Sequence, residues 1–269
     1  MTFCNVTPIR MGSVAVPGFM AGAVNQRRIE LGVWAFLVES GGARILFDGG
    51  LVGDMDVTHT FVTDTLGAEF GYLGAEPAAL QSALAALGVG PEDIDVAVVS
   101  HIHHDHAGAL QWLPRAEVWV HAAELEILQS PYARVVAPDW QITPGTRHTL
   151  DDLASSGRLV AWDGQSVSLS DSVELVRVGG HTRGSVALLG TVRSNWRVAL
   201  LGDLVLSEAH IQHGIVPTTA LDSYRTIRSI AQLLETANEL WPGHAAKGPV
   251  LATAAADSWP SADEWRTNE

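Results

Sequence analysis

The sequence predicts a mixed α/β fold in which strands and helices pack in layers. Short runs rich in Val, Leu and Ile recur along the 269 residues, and segments with the apolar spacing of helices lie between them. Strands interspersed with helices form layers around a common core. Hydrophobic residues make up 47% of the chain, which is enough for a large core. No domain boundary is evident, so one domain is predicted over residues 1–269. Its core is expected at roughly 33–248, with segments 1–32 and 249–269 packed on it.

The first half of the chain is predicted to open with two strands and a helix. The runs VWAFLVES (33–40) and ARILFDGG (43–50) are short, apolar and closed by Ser or Gly, as strands often are. The irregular residues 51–75 predict a loop or lid. In the helix that follows, Pro77 is expected in the first turn and Gly88 just after the last. The apolar face of this helix is predicted to consist of Leu80, Leu84 and Leu87.

Strands and helices alternate in the rest of the chain. The further predicted strands are VAVVS, EVWVHA, RLVAW, VELVRVGG, SVALLG and RVALLGD. Helices are predicted for AGALQWLP, AAELEILQS and LDSYRTIRSIAQLLETA, the last with apolar residues at 224, 227, 231 and 234. Residues 130–157 are mixed in character and contain three prolines. This segment is therefore expected to form a second insertion that faces the substrate.

Charge and hydropathy exclude several classes of partner. Thirty acidic against 16 basic residues give a net charge of −14, which repels phosphate backbones, so no nucleic-acid partner is expected. No apolar run reaches the roughly 18 residues that a membrane span needs, so no membrane association is expected. No charged region precedes the apolar stretch VAVPGFMAGAV, which argues against an export signal. The single cysteine, Cys4, excludes an internal disulfide and fits a cytoplasmic protein.

Residues that bind metals follow the ends of four predicted strands. VAVVS leads to His101, VELVRVGG to His181, RVALLG to Asp203 and NELWPG to His244. Because ligands gather at the strand-end edge of layered α/β folds, these four segments are expected to converge. Histidine nitrogen and aspartate oxygen suit Zn²⁺ or similar divalent ions. Seven such residues are too many for one tetrahedral ion and fit two ions that share a carboxylate. The candidates are His101, His103, Asp105, His106, His181, Asp203 and His244.

The spacing within the cluster indicates how it is divided. His101 and His103 are two residues apart, so in an extended segment they point the same way. Asp105 and His106 are expected after the chain turns into a helix that begins near Ala107. They are then placed to address a second ion a few ångströms from the first.

These motifs resemble the metallo-β-lactamase superfamily. HIHHDHAG (101–108) matches its H-x-H-x-D-H signature, and LFDGG, GGHTRGS, LLGD and WPGH resemble its other segments in the family's order. The resemblance covers roughly residues 33–248. It implies an αββα sandwich of two mixed β-sheets flanked by helices, with two divalent metal ions, most simply Zn²⁺, at its edge.

The resemblance also implies roles for individual residues. A hydroxide bridging the two ions would attack a carbonyl, and Asp105 would pass a proton to the leaving group. Asp48 would brace the ligand loops from outside. One ion would be bound by His101, His103 and His181, the other by Asp105, His106 and His244, with Asp203 bridging them.

The remaining histidines match no ligand segment. His104 occupies the variable position of the signature and is expected to face solvent. His210 and His213 follow the Asp203 strand and are candidates for the mouth of the site. Structural roles are otherwise expected for His59, His121, His148, His210 and His213.

The pattern G-x-x-P-E-D-I-D before the signature resembles the N-acyl homoserine lactonase branch. This implies a metal-dependent hydrolase that acts on a small lactone or carboxylic ester. That branch often places a tyrosine three residues after the bridging aspartate, where this chain has Leu206. Tyr72, Tyr132 and Tyr224 are the candidates to replace it.

Two other activities fit the same ligands. Organophosphate-hydrolysing relatives share the ligand set, and the loops at 51–75 and 130–157 would decide between the two substrate classes. A mononuclear iron oxidoreductase of the same fold is the second alternative, because these ligands hardly separate iron from zinc. The segment FGYL (70–73) and the N-terminal apolar stretch are candidates for a homodimer contact.

Overall fold

Two mixed β-sheets packed face to face form the centre of the molecule, and helices cover their outer faces. This arrangement confirms the predicted αββα architecture. The computed structural model describes residues 2–23, 27–51, 63–64, 67, 70–73, 79–136, 141–255 and 258–260.

The first sheet contains seven strands among the described residues. They are β1 (Cys4–Pro17), β2 (Arg28–Ser40), β3 (Ala43–Phe47), β4 (Gly71–Leu73), β5 (Val96–Val98), β6 (Glu117–His121) and β7 (Leu159–Trp162). Their order across the sheet is β4-β1-β2-β3-β5-β6-β7. The pairs from β4 to β3 are antiparallel, and those from β3 to β7 are parallel.

The second sheet contains six described strands. They are β8 (Ser166–Ser170), β9 (Val173–Arg177), β10 (Val186–Arg193), β11 (Trp196–Leu200), β12 (Glu239–Trp241) and β13 (Val250–Leu251). Their order is β13-β12-β11-β10-β9-β8, and every pair is antiparallel except β11 with β12. Strands β9, β11 and β12 therefore run in one direction and end at the same edge of the sheet.

The helices are mostly short. They are α1 (Ala79–Ala86), α2 (His104–Ala107), α3 (Ala122–Gln129), α4 (Ala133–Val136), α5 (Pro144–Ser155), α6 (Glu208–His213) and α7 (Ser223–Thr236). Single 3₁₀ turns cover Gly18–Ala21, Pro91–Asp93, Gly108–Trp112, Gly202–Leu204 and Ala252–Ala254. Within the described part of the chain, none of these helices has the length and apolarity to cross a membrane.

The core is divided by the alternation of side chains along the strands. In β3, Ile45 and Phe47 point into the space between the sheets, whereas Leu46 joins the cluster under the outer helices. Phe47 packs there beside Leu188 and Leu200 of the second sheet. Fully burying such a side chain contributes about 1.5–3 kcal/mol. The two sheets are thus held together mainly by their apolar inner faces.

The first strand of the structure was missed by the sequence prediction, which began with 33–40. The missed strand, β1, pairs with β2 along its whole length and shifts register once, between Arg10 and Gly12. Polar residues interrupt its first ten positions around the buried Ile9 and Met11, and the short apolar run at 14–16 ends at Pro17, so the pattern does not signal a strand of this length. Strand β8, with the sequence SVSLS, was missed because three of its five residues are serine.

Two predicted helix faces need correction. Leu80 and Leu84 are fully buried in α1, but Leu87 lies beyond the helix end and is 44% exposed. Pro77 lies outside the described residues. In α7, Tyr224 is 71% exposed, and the buried face centres on Ile230. Thr226 and Ser229 also lie on that face, where their hydroxyls donate to the carbonyls of Asp222 and Val178. A pattern of apolar residues cannot predict buried positions whose polar groups are hydrogen-bonded.

The two segments considered for a dimer contact meet each other within one chain. Strand β4 pairs with β1, and Tyr72 lies opposite Val14. Both of these side chains are buried. The apolar character of these segments is therefore explained by the sheet itself.

Candidate metal centre

The four predicted strand ends converge in the structure. The segment of residues 101–106 follows β5 of the first sheet, and His181, Asp203 and His244 follow β9, β11 and β12 of the second. Their potential ligand atoms fall into three overlapping groups, within each of which all atoms lie less than 4.8 Å apart. The groups are His101, His103 and His181; His101, His106 and Asp203; and Asp105, His106 and His244.

The first group consists of three imidazole rings. Nδ1 of His103 lies 3.0 Å from Nε2 of His101 and 3.2 Å from Nε2 of His181. All three ligand atoms lie within 4.8 Å of one another, which is close enough for three ligands of one tetrahedral ion.

The group of Asp105, His106 and His244, called the second group because the set of His101, His106 and Asp203 only overlaps it and the first, combines imidazole with carboxylate. Oδ1 of Asp105 lies 3.8 Å from Nε2 of His106, and its Oδ2 lies 3.5 Å from Nε2 of His244. These are the same two sets of residues that the family resemblance implies.

Asp203 lies between the two groups. Its Oδ1 is 3.1 Å from Nε2 of His106 and 3.2 Å from Nε2 of His244, whereas its Oδ2 is 3.7 Å from Nε2 of His181. Both Oδ1 of Asp203 and Nε2 of His106 are buried, and despite this proximity neither forms a hydrogen bond of acceptable geometry with any described residue. A buried polar atom left unpaired costs about 1–3 kcal/mol, so this donor set fits a bound cation.

The histidines of the first group are held neutral. Burial, reinforced by the neighbouring imidazoles, lowers the pKa of His101 well below its ordinary value. The same two causes lower the pKa of His103 to about 3, and burial also lowers the pKa of His181. At neutral pH these rings carry free lone pairs, which is the form that binds a metal ion.

The second group has the opposite electrostatics. Burial opposes protonation, but the carboxylates of Asp203, Asp48 and Asp105 raise the pKa of His106 well above its ordinary value. Burial likewise opposes ionisation of Asp105, yet nearby histidines, with His106 foremost, lower its pKa to about 2. A cation that binds here therefore displaces a proton from His106.

Hydrogen bonds outside the groups fix the rings. Oδ2 of Asp48 lies 2.9 Å from Nδ1 of His106, and its Oδ1 accepts from the backbone N–H of Ser100 at 2.7 Å. Nδ1 of His244 donates to the carbonyl of Gly32 at 2.8 Å. The two contacts to the rings occupy Nδ1 of His106 and of His244 and leave each Nε2 to face Asp203, as outer contacts of metal-binding histidines do.

A steric constraint explains why the WPGH segment has glycine at position 243. A Cβ at Gly243 would lie 2.5 Å from Oδ1 of Asp203. Only a residue without a side chain allows this backbone to approach the carboxylate so closely.

His104 does not face solvent, contrary to prediction. It is 4% exposed, and its Nδ1 and backbone N–H both contact the carbonyl of Gln141, at 3.1 and 2.9 Å. Its ring meets that of Tyr72 edge to face. The helix begins at His104 rather than near Ala107, because His103 is extended and its carbonyl already accepts the first helical hydrogen bonds.

The other described histidines have structural surroundings. His121 accepts from the backbone at the start of α3, and His148 is exposed beside Asp152. His210 is buried and bonded to Ser207. Neither His210 nor His213 lines the cavity described below, and His59 lies outside the described residues.

Two side chains near the centre are absent from the family motifs. Tyr72, one of three tyrosines considered, donates its hydroxyl to Oδ2 of Asp105 at 3.2 Å. Tyr132 and Tyr224 are 68% and 71% exposed. Glu124 was missed altogether, because a single glutamate in a helical segment usually faces solvent. It is buried and accepts hydrogen bonds from both sheets' ligand loops.

A cavity of about 300 Å³ lies against the candidate ligands. Its polar end is formed by side chains of both groups together with Tyr72, and its walls are apolar. Leu206, at the position considered for a tyrosine, is one of the wall residues. From the predicted insertion 130–157, Gln141 and Ile142 line the cavity; from 51–75, Phe70 and Tyr72 do, and most of that segment is outside the described residues. The other apolar wall residues include Val14, Val16, Met20, Leu31 and Ile127.

The sequence model of the Metallo-beta-lactamase superfamily matches residues 28–244. The chain belongs to this superfamily. The matched region holds all seven candidate ligands, from the HxHxDH segment to His244. The metallo-β-lactamase architecture also accounts for the two mixed sheets and the position of the site at their edge.

Relatives within the superfamily are lactonases. The N-acyl homoserine lactonase AiiB of Agrobacterium fabrum is 27% identical over 175 residues, which is 61% of this chain and 60% of AiiB. The match thus spans about three fifths of that relative's length. An N-acyl homoserine lactone hydrolase, solved with N-hexanoyl-L-homoserine at its catalytic metal centre, superposes with a TM-score of 0.72. It is 20% identical, with 91% of this chain and 94% of that chain covered.

A third similar protein is AidC, a dizinc quorum-quenching lactonase. It superposes with a TM-score of 0.67 at 16% identity and covers 92% of this chain and 90% of its own. At such identities the likeness of solved structures concerns the fold. The resemblance to the lactonase branch that the sequence predicted is nevertheless confirmed by the names of these relatives.

Proposed function

We propose that this chain is a dinuclear metal-dependent hydrolase that opens a lactone or a related carboxylic ester. One observation carries the proposal. The carboxylate of Asp203 presents one oxygen to each of two ligand groups, directly beside an apolar cavity. The named activity of the relatives supports the choice of substrate class.

The grouping of the potential ligand atoms supports the proposed metal assignment. His101, His103 and His181 would hold one ion, and Asp105, His106 and His244 would hold the other, with Asp203 available to both. The donors are histidine nitrogens and aspartate oxygens, a combination that favours zinc among redox-inert ions. When bound, two such ions supply Lewis acidity and a water of lowered pKa.

The chain's own residues orient the substrate and move the proton. The apolar walls hold a hydrocarbon portion of the substrate and exclude water. Water adds across the acyl–oxygen bond, so that the carbonyl carbon gains a hydroxyl group and the leaving oxygen gains a proton. Asp105, which lines the cavity and is oriented by Tyr72, carries that proton. We place this activity in the cytoplasm, as the composition predicts.

The direct test is a metal count on the purified protein followed by a substrate panel. About two equivalents of zinc per chain and turnover of acylated lactones are expected. The matched lactam, in which an amide replaces the ester, is the control and is expected to react far more slowly. One equivalent of iron with oxygen consumption would contradict the proposal. Faster turnover of phosphotriesters than of lactones would favour the organophosphate alternative.

Tyr72→Phe is expected to lower kcat/KM on the lactone while both ions remain bound. The substitution removes the hydroxyl that orients Asp105, and a hydrogen bond to a charged group contributes about 1.5–3 kcal/mol, or roughly tenfold or more in rate. Steady-state kinetics and a metal count on the same preparation measure the effect. Tyr132→Phe removes the same hydroxyl from an exposed position and is expected to change nothing. Unchanged kinetics in the Tyr72 variant would refute the assigned role.

A further inference from the structure

Glu124 is a buried carboxylate at the back of the candidate metal centre. It lies in the first turn of α3 and is 1% exposed. Among the described residues, no ion pair with this carboxylate is formed. Glutamate is almost never buried so completely unless its oxygens are otherwise satisfied. The hydrogen bonds that the carboxylate of Glu124 accepts therefore indicate its structural role.

The carboxylate of Glu124 joins two loops that carry candidate ligands. Oε2 accepts from the backbone N–H of Ile102, which lies between His101 and His103, at 3.3 Å. Oε1 accepts from Oγ1 of Thr182 at 2.6 Å and from the N–H of Gly184 at 2.7 Å, just after His181. The first loop follows a strand of the first sheet and the second loop follows a strand of the second. One side chain thus ties the two sheets together where their ligands meet.

The packing of Gly184 gives independent evidence for this contact. A Cβ at Gly184 would lie 2.7 Å from the backbone nitrogen of Glu124 and 2.9 Å from its Oε1. The loop after His181 therefore rests directly on the start of α3, and only glycine allows that distance. The contact thus depends on both residues, the glycine at 184 and the glutamate at 124.

We propose that Glu124 is a positioning residue for one of the two metal ions. Its three hydrogen bonds hold the backbone on both sides of the His101, His103 and His181 group at a fixed separation. The second group is positioned by other contacts, from Asp48 and from the carbonyl of Gly32. Loss of the Glu124 carboxylate therefore weakens binding of one ion and spares the other. This inference rests on the metal assignment of the proposed function.

The test is a zinc titration of metal-free protein in the presence of a competing chelator. Glu124→Gln keeps the shape of the side chain but replaces one acceptor oxygen by an NH₂ group. One of the two zinc affinities is expected to fall about 10–100-fold, as when contacts behind metal ligands are removed. Glu126→Gln makes the same change at an exposed position of the same helix and should leave both affinities intact. Nitrogen NMR of labelled histidine rings identifies the weakened site by the signals of His103 and His181.

A second variant protects the test against misfolding. Thr182→Val removes one of the three hydrogen bonds, leaves the carboxylate in place and changes little in volume. A smaller loss of affinity at the same site is expected. Wild-type affinities in both variants, or an equal loss at both ions, would overturn the inference. If wild-type protein bound no zinc at all, the metal assignment itself would be at fault, so the two failures are distinguishable.

Discussion

Asp203→Ala is expected to lose at least one ion and most of the activity. The carboxylate is within 3.2 Å of ring nitrogens of His106 and His244 and faces His181 with its other oxygen. Its removal therefore takes a ligand from both ions at once and leaves histidines without their counter-charge. Changes behind the ligands already cost about 10–100-fold in affinity or activity, so loss of a shared ligand should cost at least about 100-fold. A metal count and kcat/KM on the lactone measure the two effects.

The matched control for this variant is Asp151→Ala. It removes the same carboxylate from an exposed position on α5. Metal content and activity are expected to match those of the unaltered protein. If Asp203→Ala instead retains two ions and full turnover, the carboxylate does not bridge the ions.

Removal of both ions is expected to lower the thermal stability of the protein. The candidate ligands come from both sheets, so bound ions cross-link the two layers of the sandwich. An ion that binds only the folded chain adds about 2.7 kcal/mol when its concentration is one hundred times Kd. For a chain of this size, each such site should raise Tm by about 5 °C. Thermal unfolding before and after chelation, and again after zinc is restored, measures the shift.

The variant His181→Ala provides the comparison for the stability measurement. It removes the only member of the first ligand group that the second sheet contributes. Its Tm is expected to respond less to zinc than that of the unaltered protein. An equal Tm of the protein before and after zinc addition would show that the ligand groups do not bind zinc.

The candidate site was predictable because its potential ligands lie in short local sequence motifs. His101, His181, Asp203 and His244 each follow a strand that the sequence marks by an apolar run. Strand pairing brings the ends of β9, β11 and β12 to one edge of the second sheet, and the packing of the two sheets places the end of β5 beside them. The position of a ligand at a strand end is thus a property of a few neighbouring residues. Such a prediction stays correct even when other strands of the fold are predicted wrongly.

Features that depend on distant contacts were not predictable. His104 was expected in solvent because nothing local shows the carbonyl of Gln141, 37 residues away, that covers it. Glu124 resembles any helical glutamate until the loop after His181 is seen to rest on it. Strand β1 was not predicted because polar residues interrupt most of its length, although it pairs on both sides, with β2 and with β4. These residues are defined by their partners, and their partners are remote in sequence.

Much of the apolar wall of the cavity comes from other segments than the candidate ligands. Val14, Val16 and Leu31 belong to β1 and β2, whereas the ligands stand on loops after β5, β9, β11 and β12. Substitutions that enlarge or narrow the wall therefore leave the reacting groups where they are. Under the proposed function, single substitutions in these strands would therefore change which acyl chain fits the cavity without moving the candidate ligands. Selection for a new substrate and preservation of the reaction then act on separate parts of the chain.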